Sequence, residues 1–313
     1  MEVQVSIIMA TYNRAHFIRE SLTSIINQSF KDWECLVIDD GSTDETVEVV
    51  ASIEENDERI KYLIRPGNYT TGLPGCRNYG LDKAKGNYII FFDDDDIVHP
   101  RNLEVNLRSI EHYSRDFCHY QKKPFKEQWN SDYIDVIAKP EISSIGLAQL
   151  QDIIMNKISF ASCCVLWKRE CFGKIRFNED LMYAEEWECY SRILTSGFQG
   201  VSINQVLYYN RKHPDSNTGE FYSNDPVRRN SYSRAVKLVL DNLRRNDLLS
   251  AELKQYFIRM GFFFKDYSII QYTLETVDSS TIEKSKYRLG FAFYPLLKKY
   301  FNFINDLKKR VGR

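Results

Sequence analysis

Long apolar runs are missing from this sequence of 313 residues. No stretch approaches the ~18 consecutive apolar residues that are needed to span a bilayer. The first residues, MEVQVSIIMATYNR, also lack the basic segment, the long apolar run and the cleavage site of a signal peptide, and their pattern is typical of a strand. We therefore expect a cytoplasmic protein, with a peripheral position at the inner face of the plasma membrane as the alternative.

Net charge and cysteine pairs are lacking as well. The formal net charge is -1, so no overall field attracts nucleic acid or acidic partners. The seven cysteines include no Cys-x-x-Cys pair, and two of them, Cys163 and Cys164, are adjacent in the apolar segment FASCCVLW. Reduced thiols in a reducing compartment are expected rather than a disulfide framework.

Apolar and aromatic residues, by contrast, are abundant. Hydrophobic residues make up 43% of the chain and aromatic residues 14%, a composition that can bury a core and argues against disorder. The length allows one large domain, or one domain with a substantial appendage. Neither internal repeats nor low-complexity linkers interrupt the sequence.

The first half of the sequence alternates strand-like and helix-like segments. This alternation indicates βαβ units and an α/β fold with a mostly parallel, open sheet flanked by helices. The predicted strands are VSIIMAT (5–11), WECLVIDD (33–40), IKYLIR (60–65) and YIIFF (88–92). Ligands of such sheets bind beyond the carboxyl ends of the strands, where polar residues follow in all four cases.

The pattern loosens in the second half and then becomes helical. The segments CHYQKKPF and DYIDVIAK are predicted as strands of an antiparallel or edge portion, SFASCCVLW as a buried strand, YAEEWECYSRILTSG as a helix and SINQVLYYNR as a last strand. Residues 226–313 are predicted to form helices only.

Four consecutive aspartates, Asp93 to Asp96, follow the fourth predicted strand. Their mutual repulsion suggests that they bind a cation. If the extended geometry continues, Asp93 and Asp95 point to one side and can bind Mg²⁺ or Mn²⁺, which take further oxygens from a substrate phosphate. The alternative is a solvated acidic turn in which Asp96 caps the next helix.

The second predicted strand ends in another acidic segment, VIDDGSTDET (37–46). Asp40 in this segment can accept hydrogen bonds from a nucleobase or a ribose hydroxyl. Turn chemistry is the alternative, because Asp, Gly, Ser and Thr favour turns and helix N-caps without any ligand. Ser42 or Thr43 would then cap the following helix.

Together, these segments resemble the family 2 glycosyltransferases, which have the nucleotide-diphospho-sugar transferase fold called GT-A. The matching segments are VSIIMATYNR, QSFKDWECLVIDDGSTDET, GCRNYGLDKAKGNYIIFFDDDD and AEEWECYSRIL, in the family's order. The resemblance implies a Rossmann-like GT-A catalytic domain at 1–220, with a nucleotide-sugar-binding half at 1–115 and an acceptor-binding half at 116–220. A helical C-terminal region follows at 221–313.

The resemblance also implies roles for residues at the first two strand ends. Thr11, Tyr12 and Asn13 would lie beneath the nucleotide. Asp40 would contact the base, which is usually uracil in this family.

Further roles are implied at the third and fourth strand ends. Arg77 and Asn78 match the family's Arg-Asn pair beside the nucleotide and sugar, although Arg77 could instead form a structural ion pair with the aspartates. Asp93 and Asp95 match the Asp-X-Asp metal motif for Mn²⁺ or Mg²⁺. Asp94, between them, is expected to contact the donor.

The predicted catalytic base is Glu186. The family usually has Glu-Asp before an aromatic residue, and the Asp removes the proton from the acceptor hydroxyl. This chain has Glu185-Glu186-Trp187, so a glutamate with one more methylene takes the position of the base. The alternative is that both glutamates simply favour the positive N-terminus of a helix.

Three further residues are predicted as possible contacts of the donor or acceptor, and the first of them is Glu185. Trp187 can form a wall for the acceptor sugar, or else belong to the core. His213, in the segment YYNRKHPDSNTG, can touch the diphosphate or the metal, or else be an exposed loop residue.

The sequence therefore predicts an inverting glycosyltransferase of the hexosyltransferase type, acting in the synthesis of polysaccharides or cell-surface glycans. It would move a sugar from a nucleotide diphosphate donor, with UDP-sugar as the expected donor, to a hydroxyl of a glycan or lipid-linked acceptor. One alternative is a non-catalytic nucleotide-sugar-binding protein. A nucleotidyltransferase is less well supported, because MATYNRAHF has no glycine after the first strand.

The C-terminal segment KYRLGFAFYPLLKKYFNFINDLKKRVGR mixes apolar and basic residues. Such a pattern is typical of a basic amphipathic helix on an anionic membrane. Packing on the catalytic domain or on a second subunit, as in a homodimer, is the alternative.

Overall fold

The computed structural model describes residues 3–126, 128–137, 140–213 and 217–294. The chain divides into two compact units, Met1–Tyr232 and Ser233–Arg313. All seven cysteines lie in the described residues as buried free thiols.

Nine strands of the described residues form one sheet in the first unit. They are β1 (Val5–Thr11), β2 (Trp33–Asp39), β3 (Ile60–Ile64), β4 (Tyr88–Phe91), β5 (Ile97–Val98), β6 (Phe117–Phe125), β7 (Ile142–Ile145), β8 (Val165–Lys168) and β9 (Gly200–Arg211). The order in the sheet is β3-β2-β1-β4-β8-β6-β9-β5, and β7 pairs with β9.

Helices cover the sheet and connect its strands. Those of the first half are α1 (Ala15–Ile26), α2 (Thr46–Glu54), α3 (Leu73–Lys83) and α4 (Asn102–Tyr113), and those of the second half are α5 (Leu150–Ile154), α6 (Glu185–Thr195) and α7 (Asn217–Tyr222). In α1 the buried residues Ile18, Leu22 and Ile25 have helical spacing, so one face of this helix packs on the sheet.

The four strands β1 to β4 are mutually parallel where they pair, as the alternation of segments predicts. Residues of β1 and β2 are buried almost throughout, because helices lie on both faces of a parallel sheet. Helix α3 approaches β1 so closely that a Cβ at Gly80 would collide with the Ile8 side chain. A larger residue at position 80 would push this helix away from the sheet.

The second half of the sheet is mixed rather than parallel. Strand β8 runs antiparallel to both β4 and β6, whereas β6 and β9 are parallel. A large mixed α/β sheet with flanking helices confirms the predicted fold class, and the mostly parallel arrangement is limited to the first half.

Two predicted strands of the second half are wrong or too long. Residues 132–137 of DYIDVIAK form no strand; a 3-10 turn covers Ser131–Tyr133, where the Asn130 side chain accepts a hydrogen bond from Asp132 N. The apolar residue Val136 is 91% exposed, so no buried face fixes a strand there. In SFASCCVLW, a 3-10 turn precedes β8, which begins only at Val165.

The chain becomes helical from Asn217, yet the first unit extends to Tyr232, beyond the boundary expected after residue 220. The reason lies in the first turns of α8 (Pro226–Arg245). Arg228 donates a hydrogen bond to the Met182 carbonyl. The Ser231 hydroxyl accepts a hydrogen bond from Tyr183 N and donates one to the Tyr183 carbonyl oxygen. These bonds tie the start of α8 to the first unit.

The secondary structure of the second unit consists of helices joined by short turns, as far as the structure describes it. Besides the rest of α8, it contains α9 (Ala251–Phe264), α10 (Tyr267–Thr276) and a helical segment at 281–294. Ser250 caps α9 by accepting a hydrogen bond from Leu253 N. The helical C-terminal region is thus confirmed as far as residue 294, and the remainder of the basic tail lies outside the described residues. No helix in the described part of the chain is long and apolar enough to cross a membrane.

A buried histidine is expected to make the first unit sensitive to acid. The His119 ring lies 2.8 Å from both the Ser202 hydroxyl and the Ser159 carbonyl oxygen, and burial lowers its pKa to about 4. An unfolded histidine has a pKa of ~6.5, so the unfolded chain binds this proton more readily. Stability should be intact above pH 6.5 and fall toward pH 4, by about 2 kcal/mol at pH 5.

Urea unfolding at pH 7 and pH 5 tests this expectation. The variant His119→Gln should lose less stability between the two pH values than the wild-type protein does. His112→Gln, at an exposed position of α4, is the matched control and should behave as the wild type. Equal pH dependence in all three proteins would contradict the assignment.

Candidate active site

The carboxyl ends of β1, β2 and β4 lie side by side at one edge of the sheet. Asp40 N donates a hydrogen bond to the Thr11 carbonyl, and Phe92 N donates one to Ile8. The loops that leave these strands therefore lie together at the edge where ligands of α/β sheets bind.

The loop after β1 is fastened to the loop after β2. Asn13 has a left-handed backbone, with φ 54°. Its N–H donates to the Ser42 hydroxyl and its side-chain oxygen accepts from Thr43 N, at 2.9 and 2.8 Å. Thr11 is buried, whereas Tyr12 is exposed.

Both aspartates at the end of β2 are engaged within the protein. Asp40 pairs with Arg65 and accepts a hydrogen bond from Gly72 N at 2.8 Å. Asp39, which the sequence did not single out, accepts hydrogen bonds from Ser42 N and from the Tyr62 hydroxyl. The two carboxylates hold the turn together, so turn chemistry is present here. Ser42 and Thr43 do not cap α2, which has Glu45 at its N-cap position without a side-chain cap.

The four aspartates do not continue the strand. Strand β4 ends at Phe91 and the backbone turns at Asp94 and Asp95, so the expected alternation of sides fails. Asp94 lies 3.6 Å from the Arg14 guanidinium, and the Asp96 carboxylate accepts a hydrogen bond from Arg211 N at 2.7 Å.

Asp95 meets the loop after β9. Its carboxylate lies 2.8 Å from His213 Nε2, and its carbonyl oxygen accepts a hydrogen bond from Arg211 Nε at 2.9 Å. The Phe17 ring packs against both His213 and Arg211. The structure thus places His213 beside the acidic motif rather than leaving it as an isolated loop residue.

Burial and mutual repulsion make this acidic segment costly to ionise. Burial, followed by the charge of Asp95, raises the pKa of Asp94 to about 8, against the opposing effects of the Thr11 hydroxyl and Arg14. The pKa of Asp96 is raised for the same two leading reasons. A bound cation would relieve this repulsion.

A buried ion pair connects the acidic segment to helix α6. Arg77 Nη1 lies 2.7 Å from the Glu185 carboxylate, while Nη2 lies 3.7 Å from Asp93 and donates a hydrogen bond to Ser162 at 3.1 Å. Burial, followed by Glu186, raises the pKa of Glu185 to about 7, although Arg77 opposes this. Arg77 therefore pairs mainly with Glu185, and the alternative pair with the aspartates is present only as the longer contact with Asp93.

Asn78 has all its side-chain groups engaged within the protein. Its amide nitrogen donates to the Phe177 carbonyl and to Glu179, and its amide oxygen accepts from Phe177 N. These bonds fix the segment before α6, and the donor contact expected from the sequence stays a prediction.

Glu186 differs from its neighbour Glu185 in having no partner among the residues that the structure describes. Within the described residues its carboxylate makes no hydrogen bond or ion pair, although its charge acts on Arg77 and Asp93. Ala184, just before the helix, has a left-handed backbone with φ 63°, which sets the direction in which α6 begins. Trp187 stacks on Tyr232, with ring centroids 5.9 Å apart.

The carboxylates of the acidic segment suit a divalent cation that takes its remaining ligands from substrate oxygens. No group of three or more His, Cys, Asp or Glu side chains in the described residues is arranged to enclose a metal. Mg²⁺ and Mn²⁺ do not need such a cage, because they bind through one or two carboxylates together with phosphates and water. The Asp93 side chain is 38% exposed, and Asp95 lies against His213, so these residues can supply such ligands.

Sequence reasoning missed the basic residues around the acidic segment. Arg14 contacts Asp94, and Arg65 pairs with Asp40. Arg211 donates hydrogen bonds to the Asp95 carbonyl oxygen and to the Asp96 carboxylate. The available signal was positional, because each of these arginines stands at or just after the carboxyl end of a strand.

Comparisons with known proteins show the family of the chain. Residues 6–175, more than half of the chain, match the family described as Glycosyl transferase family 2. The chain therefore belongs to glycosyl transferase family 2, which confirms the resemblance found in the sequence.

Relatives in sequence come from several bacteria. The chain is 44% identical over 181 residues to the GalNAc(5)-diNAcBac-PP-undecaprenol beta-1,3-glucosyltransferase of Campylobacter jejuni, covering 56% of this chain and 55% of that protein. It is 35% identical over 203 residues to an uncharacterized glycosyltransferase of Haemophilus influenzae, covering 61% and 74%. The chain thus spans only about half of the Campylobacter protein.

Solved structures show the same fold at low sequence identity. Staphylococcus aureus TarS 1-349 in complex with UDP-GlcNAc superposes with a TM-score of 0.66 at 22% identity, over 83% of this chain and 73% of that one. A mannosyltransferase from Pyrobaculum calidifontis, in complex with GDP-Man and Mn²⁺, gives 0.58 at 16% identity, over 96% and 82%.

Proposed function

We propose that this protein is an inverting glycosyltransferase that moves a sugar from a UDP-sugar to a hydroxyl of a glycan or lipid-linked acceptor. The observation that carries the proposal is the contrast between two adjacent glutamates. Glu185 is held by Arg77, whereas Glu186 is left without a partner in the described residues and lies within electrostatic reach of Asp93. A carboxylate with these properties is suited to removing a proton.

The donor would lie across the ends of β1, β2 and β4. In this proposal, Thr11, Tyr12 and Asn13 form the floor beneath the nucleotide, and Asp40 and Asp94 bind its polar groups. Asp40 forms an ion pair with Arg65 and accepts a hydrogen bond from Gly72 N. The orientation of its carboxylate would therefore be fixed before the donor binds.

Asp93, Asp95 and His213 would hold the divalent ion. When bound, the ion supplies a positive charge that stabilises the departing nucleoside diphosphate. The protein's own contribution is to keep these three side chains together at the strand end.

Proton removal is assigned to Glu186. The acceptor hydroxyl gives its proton to the Glu186 carboxylate as its oxygen attacks the anomeric carbon, and the bond from that carbon to the diphosphate oxygen breaks. A single displacement inverts the anomeric centre. Trp187 lies beside the base and would contact the acceptor sugar.

Arg77 and Asn78 are proposed as positioning residues. The Arg77 guanidinium links Asp93 to the first residue of α6, and Asn78 fixes the segment that precedes this helix. Together they set the distance between the acidic segment and the base.

The relatives support two details of the proposal, uridine as the nucleoside of the donor and a lipid-linked acceptor. TarS is described in complex with UDP-GlcNAc, and the Campylobacter relative is named for a polyprenyl-diphosphate-linked substrate. The Pyrobaculum structure contains GDP-Man instead, so guanosine donors belong in the test.

Contact with a membrane is proposed for the helical region. In the segment 281–294, Ile282, Leu289 and Phe293 are exposed next to basic residues. Such a surface suits an anionic bilayer at the inner face of the plasma membrane or a second copy of the chain.

Donor turnover tests the proposed function. With Mn²⁺ present, UDP-glucose and UDP-GlcNAc should raise the unfolding temperature, and GDP-mannose should not. The accepted donor should also release UDP slowly without acceptor, as measured by chromatography. A non-catalytic binder would be stabilised but release none, and absence of both effects would overturn the assignment.

A further inference from the structure

Lys122 on β6 faces the acidic segment from the second half of the sheet. It pairs with Tyr208 on the parallel strand β9, and paired residues of neighbouring strands point to the same face. The Tyr208 hydroxyl accepts a hydrogen bond from Asp93 N at 3.0 Å. The side chain of Lys122 therefore points toward the region of Asp93.

An irregularity in the strand gives Lys122 this direction. The register between β6 and β9 shifts on both sides of Gln121, immediately before Lys122. Irregularities of this kind often redirect side chains beside active sites. The next residue, Lys123, reaches instead to Asp135, with Nζ 3.2 Å from the carboxylate.

The Lys122 ammonium group has a weak partner, the Cys163 thiol, in the described part of the chain. Its Nζ lies 3.8 Å from the Cys163 sulfur. The neighbouring Cys164, followed by burial, raises the pKa of the Cys163 thiol well above its usual value, so this partner is neutral. Within the described residues no carboxylate oxygen lies within 4.0 Å of Nζ. An ammonium group has three donors, and a thiol is a poor acceptor for any of them.

Lys122 shares its surroundings with the proposed base. Asp93 interacts electrostatically with both Lys122 and Glu186, and Lys122 interacts with Asp96 as well. Asp93 already pairs with Arg77, and Asp96 accepts a hydrogen bond from Arg211 N. The ammonium group therefore stands near the reacting groups with its donors available for a substrate.

We propose that Lys122 is a substrate-binding residue whose ammonium group holds a phosphate oxygen of the bound substrate beside Asp93. This inference rests on the proposed function and adds to it a cation supplied by the protein. Phosphate is favoured over a sugar hydroxyl because a hydrogen bond between two charged groups is about twice as strong as a neutral one. The phosphate belongs either to the donor diphosphate or to a lipid-linked acceptor.

Binding of UDP in the presence of Mn²⁺, measured by calorimetry, tests whether Lys122 holds a phosphate of the donor. Lys122→Met should weaken UDP binding about tenfold or more, leave the binding of uridine unchanged, and be largely rescued by Lys122→Arg. Lys123→Met, the adjacent lysine with an exposed partner, is the matched control and should bind UDP as the wild type does.

Binding of a short-chain prenyl diphosphate tests whether Lys122 holds a phosphate of a lipid-linked acceptor. If Lys122→Met binds UDP normally but loses this compound about tenfold relative to Lys123→Met, the acceptor phosphate is the ligand. If neither ligand distinguishes the two variants, the proposal is overturned. Thermal unfolding of each variant shows whether the fold is intact. A wild-type protein that binds UDP but releases none from its sugars would refute the proposed function alone, because the binding comparison still decides the role of Lys122.

Discussion

Replacement of Glu186 by glutamine is expected to lower the rate of sugar transfer about 10³-fold, because a general base typically contributes 10²–10⁴-fold. Glutamine has nearly the same shape but cannot take the proton of the acceptor hydroxyl. In the structure the Glu186 carboxylate has no partner among the described residues, so its loss should not disturb the Arg77–Glu185 pair. Initial rates at saturating donor and acceptor measure the effect.

Two further measurements separate loss of the base from loss of the site. UDP binding by Glu186→Gln should match that of the wild type, since the donor is held by other residues. Glu186→Asp restores the side chain that is usual in the family and keeps the proton acceptor, so it should retain far more activity than the glutamine variant. A fully active Glu186→Gln protein would remove Glu186 from the mechanism, and a variant unable to bind UDP would point to a structural role.

Local patterns were sufficient to predict the first half of the fold. The runs at 5–11, 33–40 and 60–65 are apolar over the length of a strand and are separated by helical patterns, so pairing into a parallel sheet follows. The residues at the carboxyl ends of these strands could be placed at one edge for the same reason.

The direction of individual side chains could not be predicted in the same way. The alternation of sides holds only while the backbone is extended, and β4 ends at Phe91, before the aspartates. The contacts of Asp94 with Arg14 and of Asp96 with Arg211 depend on that turn and on distant segments. Glu185 pairs with Arg77 across 108 residues of sequence, which no periodicity reveals.

In the second half, weak patterns led to errors. The segment 132–137 contains β-prone residues without a buried face, and the structure forms turns there. By contrast, His213 was singled out only by its place after the last strand, and it does lie against Asp95. Position relative to a strand end was therefore more informative than local composition.

The change Asp95→Asn, or removal of metal by a chelator, is expected to reduce the rate of sugar transfer about 10³-fold. A bound metal stabilises the charge that develops on the leaving group, and this lowers the barrier by several kcal/mol. Asparagine can still accept the hydrogen bond from His213 but carries no charge to attract the cation. Transfer rates with and without added Mn²⁺ measure the effect. Added Mn²⁺ should restore the chelated wild type and leave the variant inactive.

Stability of the metal-free protein distinguishes this explanation from simple damage. The charge of Asp95 contributes to the raised pKa values of Asp94 and Asp96, so its removal relieves repulsion. The metal-free variant should therefore unfold at the same or a higher temperature than the metal-free wild type, while the stabilisation by Mn²⁺ disappears. Asp132→Asn, an exposed aspartate far along the chain, should change neither property. If Asp95→Asn keeps both its activity and its response to Mn²⁺, the acidic segment does not bind the cation, and its repulsion must be balanced by neighbouring basic groups such as Arg14, Arg77 and Lys122.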